Sequence, residues 1–250
     1  MNSRRSRKET SFMKDERAEE LMRFFPGLTV RAGLFHGLKY PGVFLHGGSA
    51  FFPKLVGAYE DELRVLLGKW MRSRHYDLVI NIGCGEGYYA VGLPTKISAH
   101  VLAFERDARS RDFCRLMARI NDVGARVTVE GECKTKNLEN IHCTDGLVIC
   151  DCEGEEEKLF TLSTVDHLKN CDFVIELYDF KKPGIGKSLR KLFNVGLGKT
   201  HRIFTVNARK RRLKDFAPLI PRVDPETLRE LLDEERPVPV QWLVVERKHV

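Results

Sequence analysis

Four carboxylates close two apolar runs of this 250-residue chain: Asp151 and Glu153 in LVICDCEG, Glu176 and Asp179 in VIELYDF. Carboxylates that converge on one mouth can bind a divalent cation such as Mg²⁺ through oxygen ligands. They can also share one proton, so that one of them acts as a general base. Asp151 and Glu153 stand two positions apart, which in an extended strand sets both on one side. They are the candidate catalytic pair, and Asp151, Glu176 and Asp179 are the candidate metal ligands. Each of two residues also has a structural alternative: Glu153 can cap the helix that EEEKLF predicts, and Asp179 can sit in the turn before KKPG.

Seven cysteines, Cys84, Cys114, Cys133, Cys143, Cys150, Cys152 and Cys171, are an odd number without the paired CxxC spacing of zinc or redox sites, so reduced thiols and a cytoplasmic location are expected. Cys150 and Cys152 face one side of a strand, a geometry more often buried filler than metal site. His36, His46 and Lys54 lie in or beside a glycine-rich segment ahead of the regular fold and can reach a cleft, although surface positions are their commoner fate.

The elements that must position these groups are legible in the periodicity. Apolar runs in YDLVINIG, HVLAFE, RVTVEG, GLVICDCEG, DFVIELYDF, HRIFTVNA and QWLVVERK alternate with helical stretches such as DARSRDFCRLMARIND. Such alternation predicts an α/β fold, a doubly wound, mostly parallel seven-stranded sheet covered on both faces. DPETLRELLDEE reads as an Asp-capped helix that lets the last strand return antiparallel. Before the sheet, EDELRVLLGKWM carries a helical apolar stripe at 63, 66, 67, 70 and 71. Residues 1–14 read as a basic, disordered tail, 15–58 as an N-terminal helical and loop cover, and 59–250 as the α/β domain.

NIGCGEGYYA follows the first strand of that domain, where ligands of open parallel sheets bind. Glycine lacks Cβ, so a ligand can rest against the main chain at Gly83, Gly85 and Gly87 while the next helix offers free N–H groups. Nicotinamide and flavin dinucleotides expect G-x-G-x-x-G; here the third glycine arrives one position early, which argues against them. Glu105 ends the second strand 18 residues after Gly87, placed to accept both hydroxyls of a ribose. Together the two features look like the S-adenosylmethionine signature of class I, Rossmann-like methyltransferases.

VINIGCGEGYYAVGL, LAFERD, LVICDCEG and DFVIELYDF, in that order over most of residues 59–180, resemble the FkbM-type methyltransferases, whose characterised members include O-methyltransferases of sugar-like or natural-product hydroxyls. The resemblance implies that Gly83, Gly85 and Gly87 hold the methionine end of the cofactor and Glu105 the ribose. Glu132, in VEGECK, falls where an adenine contact is usual, with Cys133 or a main-chain group as alternatives. Tyr88 and Tyr89 follow the glycines, one to line the cleft and one to pack. Relatives carry histidine where this chain has Tyr178, so a histidine ligand or base is absent here.

The acceptor expected from this resemblance is a small-molecule or saccharide hydroxyl. An RNA acceptor is the alternative, since the formal charge is +7 and RKRRLK at 209–214 is strongly basic. The basic excess is confined to that run and the tail, however, and no aromatic residues interleave it to stack bases. A nucleoside-binding module without catalysis is the second alternative. No apolar run is long enough to span a bilayer.

Overall fold

Continuous apolar strands are stable only when both faces are covered, and the computed structural model, which describes residues 16–43, 50–234, 236 and 240–248, shows how this is done. Seven strands form one sheet: β1 (Leu78–Ile82), β2 (His100–Phe104), β3 (Val127–Glu130), β4 (Gly146–Cys150), β5 (Cys171–Leu177), β6 (His201–Asn207) and β7 (Gln241–Arg247), in the order β3-β2-β1-β4-β5-β7-β6. Only β7 runs antiparallel to its neighbours β5 and β6. Strand order reverses beside β1, between β2 and β4, as the doubly wound pattern requires.

Register decides which strand ends lie level. Ile82 pairs with Phe104 on one side and Cys150 on the other, and Cys150 pairs with Ile175. The next residues, Gly83, Glu105, Asp151 and Glu176, therefore emerge side by side at the carboxyl edge of the sheet. Parity then sorts faces: Leu147 and Ile149 of β4 and Val174 of β5 pack in one core cluster, whereas Val148, Cys150 and Ile175 pack in the other. Glu176, two residues after Val174, falls on the first face, opposite Trp242 in the register with β7.

The first face is covered by α1 (residues 16–22), α2 (Phe51–Val56), α3 (Asp61–Ser73), α4 (Tyr88–Gly92) and α5 (Ala108–Ile120). Leu63, Leu67 and Trp70 of the predicted stripe on α3 are buried there, and Trp70 also donates Nε1–H to Glu246 at 2.9 Å. Residues of the N-terminal segment, Leu21, Phe25, Phe35 and Leu55 among them, belong to the same cluster, and Thr29 and Lys39 form a single antiparallel bridge.

The second face carries α6 (Thr135–Glu139), α7 (Glu156–Leu159), α8 (Leu162–His167) and α9 (Ile185–Leu197). Phe193 of α9 is fully buried there and packs edge-on to Phe173 at 5.0 Å, burial that contributes about 1.5–3 kcal/mol. Two short helices, α10 (Leu213–Phe216) and α11 (Pro225–Leu231), fill the connection to β7. Among the described residues no helix is long and apolar enough to cross a membrane. The basic tail expected over 1–14 and His46 lie outside the described residues.

Candidate active site

A cavity of about 500 Å³ opens at the carboxyl ends of β1, β2, β4 and β5, a volume suited to a nucleoside-sized ligand. Its floor is the loop from β1 into α4. The three glycines there answer to different demands. A Cβ on Gly83 would stand 1.7 Å from the Asp151 carbonyl oxygen, so this glycine lets the ends of β1 and β4 touch. Gly87 caps α4 at φ 109°, and a Cβ there would meet Cys114 Sγ at 2.8 Å; it does not line the cavity. Gly85 alone faces open space, at φ 52°. A side chain at Gly85 would thus meet open space, whereas close packing of the protein itself requires glycine at Gly83 and Gly87.

Glu105 reaches back to this loop. Its Oε2 accepts the Gly85 N–H at 2.9 Å and its Oε1 the Asp107 N–H at 2.8 Å. Each carboxylate oxygen has a second lone pair, so the group is oriented without being used up. Asn81, on β1 below the loop, is 2% exposed and lines the cavity, and its Oδ1 has no partner. A buried acceptor left unpaired costs about 1–3 kcal/mol, which a donor on a bound ligand would recover. Glu132 is exposed on the cavity rim beside Cys133.

The strand-end acids separate into two groups. Asp151 and Glu176 are brought together: their side chains are hydrogen-bonded to one another, and Tyr178 donates its hydroxyl to Asp151 Oδ1 at 2.7 Å. Burial, reinforced by the charge of Glu60, pushes the Asp151 carboxyl up to about 6 against the hydrogen bonds from Tyr178 and Glu176. Burial likewise raises Glu176, followed by the charges of Asp151 and Glu60. Two adjacent carboxyls, both raised by burial, disfavour being ionised together.

Glu153 does not join them. β4 ends at Cys150, so period-two alternation does not extend to Glu153, which sits in a turn at φ 58° and is exposed. It pairs with Lys181 at 3.1 Å and Arg106 at 3.6 Å and lies at the cavity rim. Asp179 is drawn away as well, accepting the Gly184 and Gly186 N–H groups at 3.0 and 3.2 Å at the start of α9. The set Asp151, Glu176 and Asp179 expected to hold a metal is therefore not assembled, and Glu153 is not beside Asp151.

The principal partners of the acid pair come from far along the chain. Arg236 forms ion pairs with Glu176, with Glu60 at 2.8 Å and with Glu234 at 2.8 Å. Its guanidinium also lies over Tyr59 and Trp242, 5.7 and 5.3 Å from the ring centroids. Tyr89 donates to the other oxygen of Glu60. Arg211, the third residue of the basic run, is turned inward onto Glu62 at 2.6 Å and onto Glu234. That run consequently offers less positive surface to a nucleic acid than its composition implies.

A second buried pair, Lys54 with Glu86 at 2.6 Å, closes the opposite wall. Lys54 lies 4.7 Å from the centroid of Tyr59, and Tyr40 donates to Glu86 at 3.3 Å. Both Tyr88 and Tyr89 line the cavity while packing edge-on against Phe35, at 4.9 and 5.7 Å. Exposed His36 is not among the lining residues. Sequence reading identified Lys54 as a possible cleft cation but missed Glu60, Glu86 and Arg236. The only local signal was the acidic middle position of GEG, an apolar site in neither neighbouring element.

No family model matches the chain, and no curated protein matches it. Solved structures are similar to it. A precorrin-6y C5,15-methyltransferase from Geobacter metallireducens covers 76% of this chain and 90% of its own with a TM-score of 0.50 and 15% identity. A precorrin 8W decarboxylase from Methanobacterium thermoautotrophicum covers 84% of this chain and 94% of its own, with a TM-score of 0.48 and 17% identity. A SAM-dependent methyltransferase from Geobacter sulfurreducens in complex with S-adenosyl-L-homocysteine covers 76% and 91%, with a TM-score of 0.47 and 11% identity. At 15% identity the first of these likenesses shows the fold alone, a seven-stranded, mostly parallel, Rossmann-like sheet. The narrower resemblance to the FkbM-type family rests on the sequence motifs alone.

Proposed function

We propose that the protein is an S-adenosylmethionine-dependent O-methyltransferase acting on a hydroxyl of a small-molecule or saccharide acceptor. The observation that carries this reading is the convergence, at one sheet edge, of the open Gly85 turn with the oriented Glu105 carboxylate and the adjacent carboxyls of Asp151 and Glu176. The residues fit the cofactor: Gly85 leaves room against the main chain, Glu105 keeps acceptor capacity for a ribose, and Asn81 offers an unpaired buried oxygen. When bound, S-adenosylmethionine supplies an electrophilic methyl group on a sulfonium.

This chain's part is alignment and proton transfer. Asp151 in its ionised form accepts the acceptor hydroxyl's proton as the oxygen becomes nucleophilic, and Tyr178 holds the carboxylate in place through its 2.7 Å hydrogen bond. Burial and the charge of Glu60 keep the Asp151 carboxyl, at about 6, in the range where it can take up and release a proton near neutrality, and its neighbour Glu176 is fixed by Arg236. Because Arg236 already supplies the countercharge to this pair, we assign the pair to proton transfer rather than to Mg²⁺. A cytoplasmic location is the companion proposal, supported by seven free cysteines.

Calorimetric titration with S-adenosylmethionine, S-adenosylhomocysteine and NADH tests the reading. The two sulfur nucleosides are expected to bind and NADH is not. Glu105→Ala is expected to weaken nucleoside binding by about 1.5–3 kcal/mol, the value of a charged hydrogen-bond acceptor. Turnover with a hydroxyl acceptor then separates an enzyme from a nucleoside-binding module. Absence of nucleoside binding in folded protein would remove the reading.

A further inference from the structure

The second face of β4 carries a group of donors that the methyl-transfer reading does not use. Cys150, at the end of β4, and Cys152, just beyond it, place their Sγ atoms 3.6 Å apart. Glu156, the first residue of α7, sets Oε1 3.4 Å from Cys152 Sγ, and one donor atom from each residue lies within 4.8 Å of the others. A tetrahedral ion with bonds of about 2.3 Å to sulfur and about 2.0 Å to oxygen needs S–S edges of about 3.8 Å and S–O edges of about 3.5 Å. The observed S–S and S–O separations of 3.6 and 3.4 Å are close to those two edges.

Glu156 supplies an independent sign. It is 0% exposed, and among the described residues no Lys or Arg forms an ion pair with it. Its neighbours on α7 differ: Glu157 pairs with Lys182, and Glu155, just before the helix, pairs with Lys158. The Cys152 and Gly154 N–H groups donate to Oε1 at 3.2 Å each, which fixes the carboxylate, while Oε2 is buried without a partner. A buried carboxylate oxygen without a donor or countercharge is expensive unless something completes it. An ion bound to the carboxylate and two thiolates would supply that charge, and the backbone donors would act as the outer partners that orient a ligand.

We propose that Cys150, Cys152 and Glu156 bind one thiophilic divalent cation of the zinc class. Both cysteines line the large cavity. Oxygen-preferring Mg²⁺ and Ca²⁺ do not suit a donor set dominated by sulfur.

The test uses the full chain, reduced and stripped with a chelator, titrated with Co²⁺ and then with Zn²⁺. One equivalent of Co²⁺ is expected to bind with a near-ultraviolet thiolate-to-cobalt charge-transfer band, and Zn²⁺ is expected to abolish the band by displacement. Cys152→Ser, at a half-buried position, should remove the band and weaken Zn²⁺ by more than the roughly 10–100-fold that loss of an outer partner costs. Glu156→Gln should weaken Zn²⁺ at least about tenfold, whereas Cys143→Ser, away from the cleft, should leave the titration unchanged. Wild-type melting temperature should rise with Zn²⁺ over chelator, and Cys152→Ser should lose that rise. Binding without the band, a band that survives in Cys152→Ser, or a melting rise that Cys152→Ser retains would each overturn the assignment.

Discussion

Asp151 draws its chemistry from burial, from the charge of Glu60 and from hydrogen bonds with Tyr178 and Glu176. Replacing it by asparagine keeps the size and one hydrogen-bond acceptor but removes the base. Asp151→Asn is therefore expected to lower kcat by about 10²–10⁴-fold, the usual contribution of a positioned general base, with S-adenosylhomocysteine affinity changed much less. Single-turnover methylation alongside calorimetry checks this, and a kcat within threefold of wild type would reassign the base. At this scale the sequence was most informative where function and motif are local. Gly85 and Glu105 stand 20 residues apart and are joined by one hydrogen bond, a pairing that a strand-helix-strand unit produces by itself. Arg236 and Glu60 are 176 positions apart, and no local pattern announces that they meet.

Elements were legible where periodicity is long and caps are explicit. The helix predicted in DPETLRELLDEE is α11, and Asp224 caps it by accepting the Glu226 and Thr227 N–H groups at 2.9 and 3.0 Å. Asp224→Ala is expected to cost about 1 kcal/mol of stability, read as a shift of the urea midpoint at constant slope. Strand reasoning failed for Glu153 because alternation stops where the strand stops, and a boundary error of one residue redirects every side chain beyond it. At the opposite edge of the sheet, His201 opens β6 with Nε2–H donated to the Cys171 carbonyl at 3.1 Å and Nδ1 2.8 Å from the Thr200 hydroxyl oxygen. Burial lowers its pKa from 6.5, with Arg247 and Arg74 adding to that and Asp172 and the Cys171 carbonyl opposing it. Below 6.5 the unfolded chain therefore binds a proton that the folded chain resists, so this contribution to stability is present above 6.5 and fades as pH falls. Urea midpoints from about pH 7 to pH 5 should decline less steeply in His201→Asn than in wild type.

For the whole molecule, the network around Arg236 determines how the chain is tied together. Glu60 precedes α3, Glu176 is the penultimate residue of β5, and Glu234 follows α11, yet one guanidinium holds all three. Arg211 shares Glu234 and adds Glu62, so the N-terminal cover, the sheet and the last connection meet at the wall of the cavity. Local folding signals do not encode such a network; it forms when the rest of the fold has brought the charges together. Removing Arg236 would leave the Glu60 and Glu176 carboxylates buried, 4% exposed each, without their countercharge. Arg236→Ala is therefore expected to destabilise the protein by about 3–5 kcal/mol, the cost of breaking a buried pair from one side. Part of that loss is chargeable to stranded acids rather than to lost packing against Tyr59 and Trp242. The double variant with Glu60→Gln should consequently recover stability relative to Arg236→Ala alone, because one stranded charge is gone. Denaturant unfolding of the two single variants and the double completes the cycle, and strictly additive losses would show that Arg236 acts through its packing.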